Sequence, residues 1–96
     1  MKQKRYKKFK DFTDAIGLDP ARALEAELKA DLTGALIKEI KRQGLTHEDV
    51  AECAGVARST VTGIVNGSLQ SVSIDRLLRI VSALGMSVEM KIKKSA

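Results

Sequence analysis

The stretch Leu45–Gly67, with the sequence LTHEDVAECAGVARSTVTGIVNG, constrains the fold more than any other part of the chain. It holds two short runs of apolar residues at helical spacing, separated by Gly55. Glycine adopts positive φ at little cost, so Gly55 predicts a tight turn between two helices. Thr46 can cap the first helix, and Asp49 three residues later completes a capping box. The sequence therefore predicts two short helices that cross at a fixed angle.

The apolar positions of this stretch indicate which side of each helix faces the core. Small Ala51 allows the two helices to approach closely, and Cys53 is expected to be a small core residue rather than a nucleophile. The expected inner positions are Val50, Ala51, Cys53 and Ala54 in the first helix, and Val61, Ile64 and Val65 in the second. The Asn66-Gly67 pair then predicts a turn that ends the second helix.

This spacing resembles that of the Xre-type, phage-repressor-like helix-turn-helix family. The pattern consists of Ala51, Gly55, Val61 and Ile64, and the likeness extends over residues 31 to 84. The resemblance implies that the second helix is a recognition helix, which enters the major groove of double-stranded DNA. A small helical bundle that carries the same spacing by chance is the alternative.

Composition favours a polyanionic partner and gives little support to catalysis. The 96 residues suit one domain, with a net charge of +5 and an isoelectric point near 9.6. A single cysteine cannot form an internal disulfide, which fits a reducing cytoplasm. The sequence contains no apolar run near the ~20 residues that span a bilayer. With one histidine and one cysteine, it lacks a metal-ligand set and a nucleophile–base pair, so we expect neither an enzyme nor a cofactor.

Residues 1–18 form a basic and aromatic N-terminal arm. Six of the 17 cations lie within the first ten residues. Tyr6, Phe9, Phe12 and Ile16 recur at spacing three and four, which is typical of a short amphipathic helix. The arm is either a recruitment element for DNA or a partner protein, or a frayed basic terminus whose Phe12 and Ile16 cover the core.

Residues 19–85 are expected to form the helix-turn-helix domain. Asp19 and Pro20 predict the start of a helix that ends before Gly44. Its expected core stripe consists of Leu24, Leu28, Leu32, Leu36 and Ile40, with Glu25 and Lys29 as a surface ion pair. Ser73 predicts the cap of a further helix that ends at Gly85. The expected core residues of that helix are Ile74, Leu77, Leu78, Val81 and Leu84.

Residues 86–96 are expected to form a C-terminal strand and tail, because apolar and polar residues alternate from Met86 to Lys93. A strand needs a neighbour for its backbone groups, which suggests pairing with a second copy in a two-fold dimer. The candidate dimerisation residues are Met86, Val88, Met90 and Ile92; a solvated tail is the alternative. The expected fold is thus all-α, a repressor-like helix-turn-helix bundle of about five helices with a C-terminal β-strand used in dimerisation.

The predicted recognition helix presents a small, polar outer face. Arg58 is the candidate for bidentate reading of a guanine. Its neighbours on this face and flanks are Ser59, Thr60, Thr62, Gly63 and Asn66, and the candidates for backbone contacts at helix ends are Thr46, His47, Asn66 and Ser68. Three residues depart from the family pattern: His47 replaces a common glutamine, Ala57 replaces a serine cap, and Gly63 lies inside a helix.

The chain also resembles the HigA-type antitoxins of bacterial toxin–antitoxin modules, and this resemblance covers the long helix, the motif, the helix that follows the motif and the LGMSVEMKI ending. This resemblance implies a homodimer that binds an inverted-repeat operator, represses its own operon and neutralises a RelE-like toxin. Such toxins are basic, so Tyr6, Phe9 and Phe12 are better candidates for partner binding than the lysines of the arm. A protein-interaction module with little DNA binding, or a stand-alone phage-type regulator, are the alternatives.

Overall fold

A computed structural model describes residues 17, 19–69 and 71–94 of the chain. This part contains four helices: α1 (Pro20–Gln43), α2 (His47–Ala54), α3 (Arg58–Val65) and α4 (Ile74–Ala83). The all-helical architecture and the long first helix agree with the sequence predictions. The short helix predicted in the N-terminal arm, with Tyr6, Phe9 and Phe12, lies outside the described residues.

Both ends of α1 are fixed by the residues that predicted them. The Asp19 carboxylate accepts a hydrogen bond from the Ala21 N–H at 3.0 Å, so it caps the helix ahead of Pro20. At the other end Gly44 has φ +66, and the Leu45 N–H donates to the Ile40 carbonyl at 3.1 Å. These two features form a Schellman motif, which satisfies the last carbonyl groups and turns the chain towards α2.

The junction between α2 and α3 also follows the prediction. The Thr46 hydroxyl accepts from the Asp49 N–H at 3.0 Å, and the Asp49 carboxylate accepts from the Thr46 N–H at 2.9 Å. This reciprocal capping box fixes the start of α2. At its end Gly55 has φ +68, and the Val56 N–H reaches the Ala51 carbonyl at 3.1 Å. The turn therefore sets the direction in which α3 leaves.

All four helices contribute to one core. The side chains that are almost fully buried are Leu36 of α1, Val50 of α2, Val61 and Ile64 of α3, and Leu77 and Ile80 of α4. Ala51 is buried with them, as its small size at the helix crossing predicts. Val72, in the loop between α3 and α4, is also buried in this core.

The expected core stripe of α1 is wrong in its first half. Leu24 and Leu28 are 60% and 41% exposed, because the buried positions of α1 begin only at Lys29. The Lys29 ammonium donates to the Leu69 carbonyl at 3.3 Å and lies 3.6 Å from the Glu25 carboxylate. The pair with Glu25 exists, but Lys29 is buried rather than on the surface. Lys29 therefore connects α1 to the loop before α4.

The predicted C-terminal strand and the count of about five helices are wrong for the part of the chain that the structure describes. Residues 86–94 follow α4 without regular structure. Met86 packs against the core and its N–H donates to the Val81 carbonyl, whereas Val88, Met90 and Ile92 are exposed. An alternation of apolar and polar residues produces a β-strand only where a second strand pairs with its backbone groups. Residues 19–69 and 71–94 contain no such second strand.

Cys53 is exposed, so its predicted place in the core is wrong. The buried arc of α2 is centred between Val50 and Ala51. At 100° per residue, Cys53 lies about 110° from that centre, on the solvent side of the helix.

A hydrogen-bonded cluster ties the end of α1 to the end of α4. The Glu39 carboxylate accepts bonds from the Arg42 guanidinium and from the Gln43 amide, and Gln43 also donates to the Leu84 carbonyl at 3.0 Å. The hydrogen bonds from Arg42 and then Gln43 lower the pKa of Glu39 from 4.5 to about 2. The folded state therefore favours the charged form of the Glu39 carboxylate.

Acidification is expected to weaken the fold partly through Glu39. Because its folded pKa is lowered, its contribution is present above about pH 4.5 and is lost as the pH falls towards about 2. Urea unfolding followed by circular dichroism between these pH values should show a smaller acid-induced loss for Glu39→Gln than for the unmodified chain. Glu27→Gln removes an exposed carboxylate of the same helix and is the control; an equal change in both variants would contradict the role of Glu39.

Candidate nucleic-acid interface

Helix α3 packs against the core with one side and exposes the other side to solvent. Val61 and Ile64 are buried in the core, whereas Arg58, Ser59 and Asn66 are exposed. We call the solvent-facing residues Arg58, Ser59, Thr62 and Asn66 the α3 ridge. Since the buried pair lies three residues apart on one helical face, α3 cannot rotate without emptying the core. The ridge is therefore a rigid, polar surface of short side chains with one guanidinium.

The start of α3 offers donors to an incoming group. Ala57 occupies the N-cap and has no side-chain oxygen to accept from the first N–H groups of the helix. The prediction that α3 begins without a side-chain cap is confirmed. Arg58 follows at the first helical position and is exposed. An anionic or carbonyl oxygen near this end can thus accept from both the backbone and the guanidinium.

A direct hydrogen bond joins α2 to the ridge. The Nδ1 atom of His47 lies 2.9 Å from the hydroxyl oxygen of Thr62, and both side chains are half-buried. His47 therefore does more than stand at the end of α2, the role that its position predicted. It restrains the rotamer of Thr62 at the centre of the ridge and leaves its Nε2 atom for another partner.

A concavity of about 220 Å³ lies beside the ridge, between α3 and the loop that leads to α4. We call it the α3 cup. Its polar lining consists of Ser59, Thr60, Ser68, Ser71 and Arg76, with Gly63 and the buried Val72 completing it. Four hydroxyl groups and one guanidinium thus converge on a space near the recognition surface.

Only part of this lining is predicted from the sequence. The structure brings the candidates Ser59, Thr60, Gly63 and Ser68 together. Ser71 and Arg76 are not predicted from the sequence, because they belong to a different segment and share no helical spacing with α3. Their signal is the hydroxyl-rich loop after α3, followed by an arginine three residues beyond the Ser73 cap.

The remaining candidates lie at element ends around the ridge. Thr46 is exposed and caps α2, Asn66 ends α3, and Ser68 follows on the loop. The exposed face of α2 carries three acidic residues: Glu48, Asp49 and Glu52. The hydrogen bond from the Thr46 backbone lowers the pKa of Asp49, which favours its charged form. The negative charge of that face of α2 disfavours contact with a polyanion.

Neither a metal-binding cluster nor a membrane-spanning helix is found among the described residues. Within residues 19–69 and 71–94, His, Cys, Asp and Glu side chains do not gather in groups of three that could hold a metal ion. No helix of the described part has both the length and the apolarity to cross a bilayer.

Comparison with known proteins gives consistent matches. A family model described as a helix-turn-helix domain matches residues 12–93. The HTH-type transcriptional regulator KdgR of Bacillus subtilis (strain 168) is 40% identical in an alignment 58 residues long that covers 52% of this chain. The chain spans only 17% of the length of that relative. A solved structure named as an XRE-family transcriptional regulator has a TM-score of 0.68 at 31% identity, covering 77% of this chain and 83% of that one.

The matches bear on two of the sequence predictions. The family and both relatives are named for a helix-turn-helix domain or for transcriptional regulation and not for catalysis, in agreement with the prediction that the chain is not an enzyme. The family match covers most of the chain, and the structural match covers most of both chains. The chain therefore belongs to the helix-turn-helix domain family and is of the XRE type.

Proposed function

We propose that the chain is a sequence-specific DNA-binding transcriptional regulator whose α3 helix enters the major groove. The observation that carries this proposal is the division of α3 into a buried side, with Val61 and Ile64, and an exposed polar ridge. A rigid helix with short polar side chains fits a groove about 12 Å wide. The names of the two relatives support the same function.

Each candidate residue has a role in this proposal. Arg58 reads a guanine, and Thr62, restrained by His47, contacts a base or a thymine methyl group. Thr46, Asn66 and Ser68 contact the backbone at the edges of the groove and fix the register. The basic residues 2–10 add phosphate contacts that carry no sequence information.

DNA selection with the full chain tests the proposal. We expect enrichment of one short sequence from a pool of random duplexes, bound at least about 10³-fold tighter than a scrambled duplex of equal composition. The logarithm of the affinity should fall linearly with that of the salt concentration, by about 0.9 per phosphate contact. Fluorescence anisotropy at several salt concentrations measures both. A pool without enrichment, or a salt-independent affinity, would contradict the proposal.

We further propose that two copies bind an inverted repeat. A single α3 ridge covers few base pairs, and a two-fold dimer places two recognition helices about 34 Å apart, in successive major grooves. Val88, Met90 and Ile92 support this arrangement, because their exposed apolar side chains are available for contact between copies. Met86 lies at the start of this contact. Sedimentation of the free and DNA-bound chain, with deletion of residues 87–96 as the comparison, measures the oligomeric state.

The finer role that we propose is that of an antitoxin, which represses its own operon and neutralises a basic, RelE-like toxin. The architecture of one long helix, the motif and a short C-terminal segment supports it. Tyr6, Phe9 and Phe12, which lie outside the described residues, are the proposed anchors, because aromatic side chains carry much of the energy at protein interfaces. Co-purification with the product of the adjacent gene tests this role.

Two outcomes separate the alternatives. A chain that holds a partner protein tightly but binds no duplex is an interaction module. A chain that represses from an operator without any neighbouring partner gene is a stand-alone regulator.

A further inference from the structure

The hydrogen bond between His47 and Thr62 can run in either direction, and the direction decides what Thr62 offers to a third group. The His47 Nδ1 atom lies 2.9 Å from the Thr62 hydroxyl oxygen. A hydroxyl group has one hydrogen to donate, and a ring nitrogen donates only when it carries a hydrogen. If Nδ1 carries none, it takes the Thr62 hydrogen, and Thr62 can then only accept. If Nδ1 carries a hydrogen, it donates to Thr62, whose own hydrogen is left for another acceptor.

The charge of the His47 ring determines which directions are allowed. A neutral imidazole carries a hydrogen on one of its two nitrogens, so Nδ1 can either donate or accept. A charged imidazolium carries a hydrogen on both nitrogens, so Nδ1 can only donate. Protonation of His47 therefore fixes Thr62 as a donor towards a third group, and loss of that proton also permits Thr62 to act as an acceptor only.

This difference matters because base edges in the major groove differ in the same way. Guanine presents the acceptors N7 and O6, whereas cytosine presents an amino group, which is a donor. Thr62 belongs to the α3 ridge, the surface that enters the groove in the proposed function. We propose that His47 is a proton-controlled specificity residue: its charged form restricts Thr62 to acceptor groups of bases, and its neutral form also allows Thr62 to read an amino group. This inference rests on the proposed DNA-binding function and adds a regulation of the same site.

The groups around His47 keep their charge in the range in which imidazole titrates. Imidazole side chains gain or lose a proton between about pH 5 and pH 8, whereas carboxylate and guanidinium groups stay charged there. Helix α2 packs against α3 and α4. The charged residues are Glu48, Asp49 and Glu52 on α2 itself, Arg58 on α3, and Asp75 and Arg79 of α4, which face α2 across a groove. His47 is the one histidine of the sequence, so a change in base preference over this range reports its ring.

DNA selection with the full chain at about pH 5.5 and at about pH 7.5 tests the proposal. Fluorescence anisotropy then compares the selected duplex with duplexes in which single G·C pairs are inverted, which keeps the composition. We expect the preference for guanine over cytosine at one position to be about tenfold greater at the lower pH. His47→Gln should show the same preference at both pH values, because an amide does not titrate.

Two threonine variants separate the Thr62 hydroxyl from the charge of His47. Thr62→Val keeps the shape of the side chain and the titrating ring but removes the hydroxyl group, so its base preference should not change with pH. Thr60→Val removes the hydroxyl group of another half-buried threonine of α3 and should keep the pH-dependent preference. A preference of the unmodified chain that is equal at both pH values, or one that still changes with pH in Thr62→Val, would overturn the proposal.

The single imidazole also permits a direct readout. Nitrogen NMR of the labelled chain shows which ring nitrogens carry a hydrogen, in the complex with the selected duplex and in that with the inverted one. Because binding and protonation are linked, we expect both nitrogens to remain protonated to a higher pH when the duplex offers guanine than when it offers cytosine. Identical titration of the ring in both complexes would contradict the role of His47. Failure of the unmodified chain to bind any duplex would instead refute the proposed function.

Discussion

Arg58→Ala is expected to weaken binding to the selected duplex by about 1–3 kcal/mol, which is roughly tenfold to a hundredfold, and to affect the scrambled duplex much less. Arg58 is exposed at the first position of α3, on the flank of its outer face. Its planar guanidinium can donate two parallel hydrogen bonds to the O6 and N7 atoms of a guanine. Loss of this pair removes discrimination between bases rather than general attraction to DNA.

Arg58→Lys is the matched variant for this prediction. Lysine keeps the positive charge but lacks the rigid fork of arginine. We expect Arg58→Lys to retain affinity for the scrambled duplex and to lose most of the preference for the selected one. Equal losses on both duplexes for Arg58→Ala, with full recovery in Arg58→Lys, would show that Arg58 contacts a phosphate only.

Leu77→Ala is expected to lower the free energy of unfolding by about 2–5 kcal/mol. Leu77 is 0% exposed and lies at the centre of the core that the four helices share. The substitution removes buried methyl groups and leaves a cavity that the surrounding helices fill only in part. Because small domains are stable by about 5–15 kcal/mol, this loss is a large fraction of the total.

The neighbouring residue gives the control for Leu77. The same substitution at Leu78 is the control, because the Leu78 side chain is 42% exposed. Leu78→Ala should therefore lower the free energy of unfolding by less than about 1 kcal/mol. The described residues contain no tryptophan, so urea unfolding is best followed by far-ultraviolet circular dichroism. We expect a lower midpoint with an unchanged slope for Leu77→Ala. Similar midpoints for both variants would contradict the burial difference.

The helix boundaries could be predicted because their causes are local. Asp19, Thr46 and Ser73 cap helices through their own side chains, and Gly44 and Gly55 supply the positive φ that ends them. A capping residue acts within three positions of the chain, so its effect can be inferred without knowledge of the tertiary structure. The positions of Val61 and Ile64 followed from helical periodicity in the same way.

The errors concern features that depend on distant parts of the chain. Periodicity places Leu24 and Leu28 on the same face as Leu36, but it does not indicate how far the other helices extend along α1. The alternation of apolar and polar residues over 86–93 does not indicate whether a second strand is present to pair with this segment. For the same reason the contribution of Arg76 to the α3 cup could not be inferred, since the fold alone brings it near Gly63.

The hydrogen bond from Lys29 to the Leu69 carbonyl also affects chemical labelling of the domain. Lys29 is buried, whereas every other lysine of the described residues is exposed. Reagents that acylate amines therefore reach this nitrogen only when the loop carrying Ser68 and Ser71 detaches from α1. The rate at which the Lys29 amine is acylated thus measures how often the loop that lines the α3 cup moves away from α1.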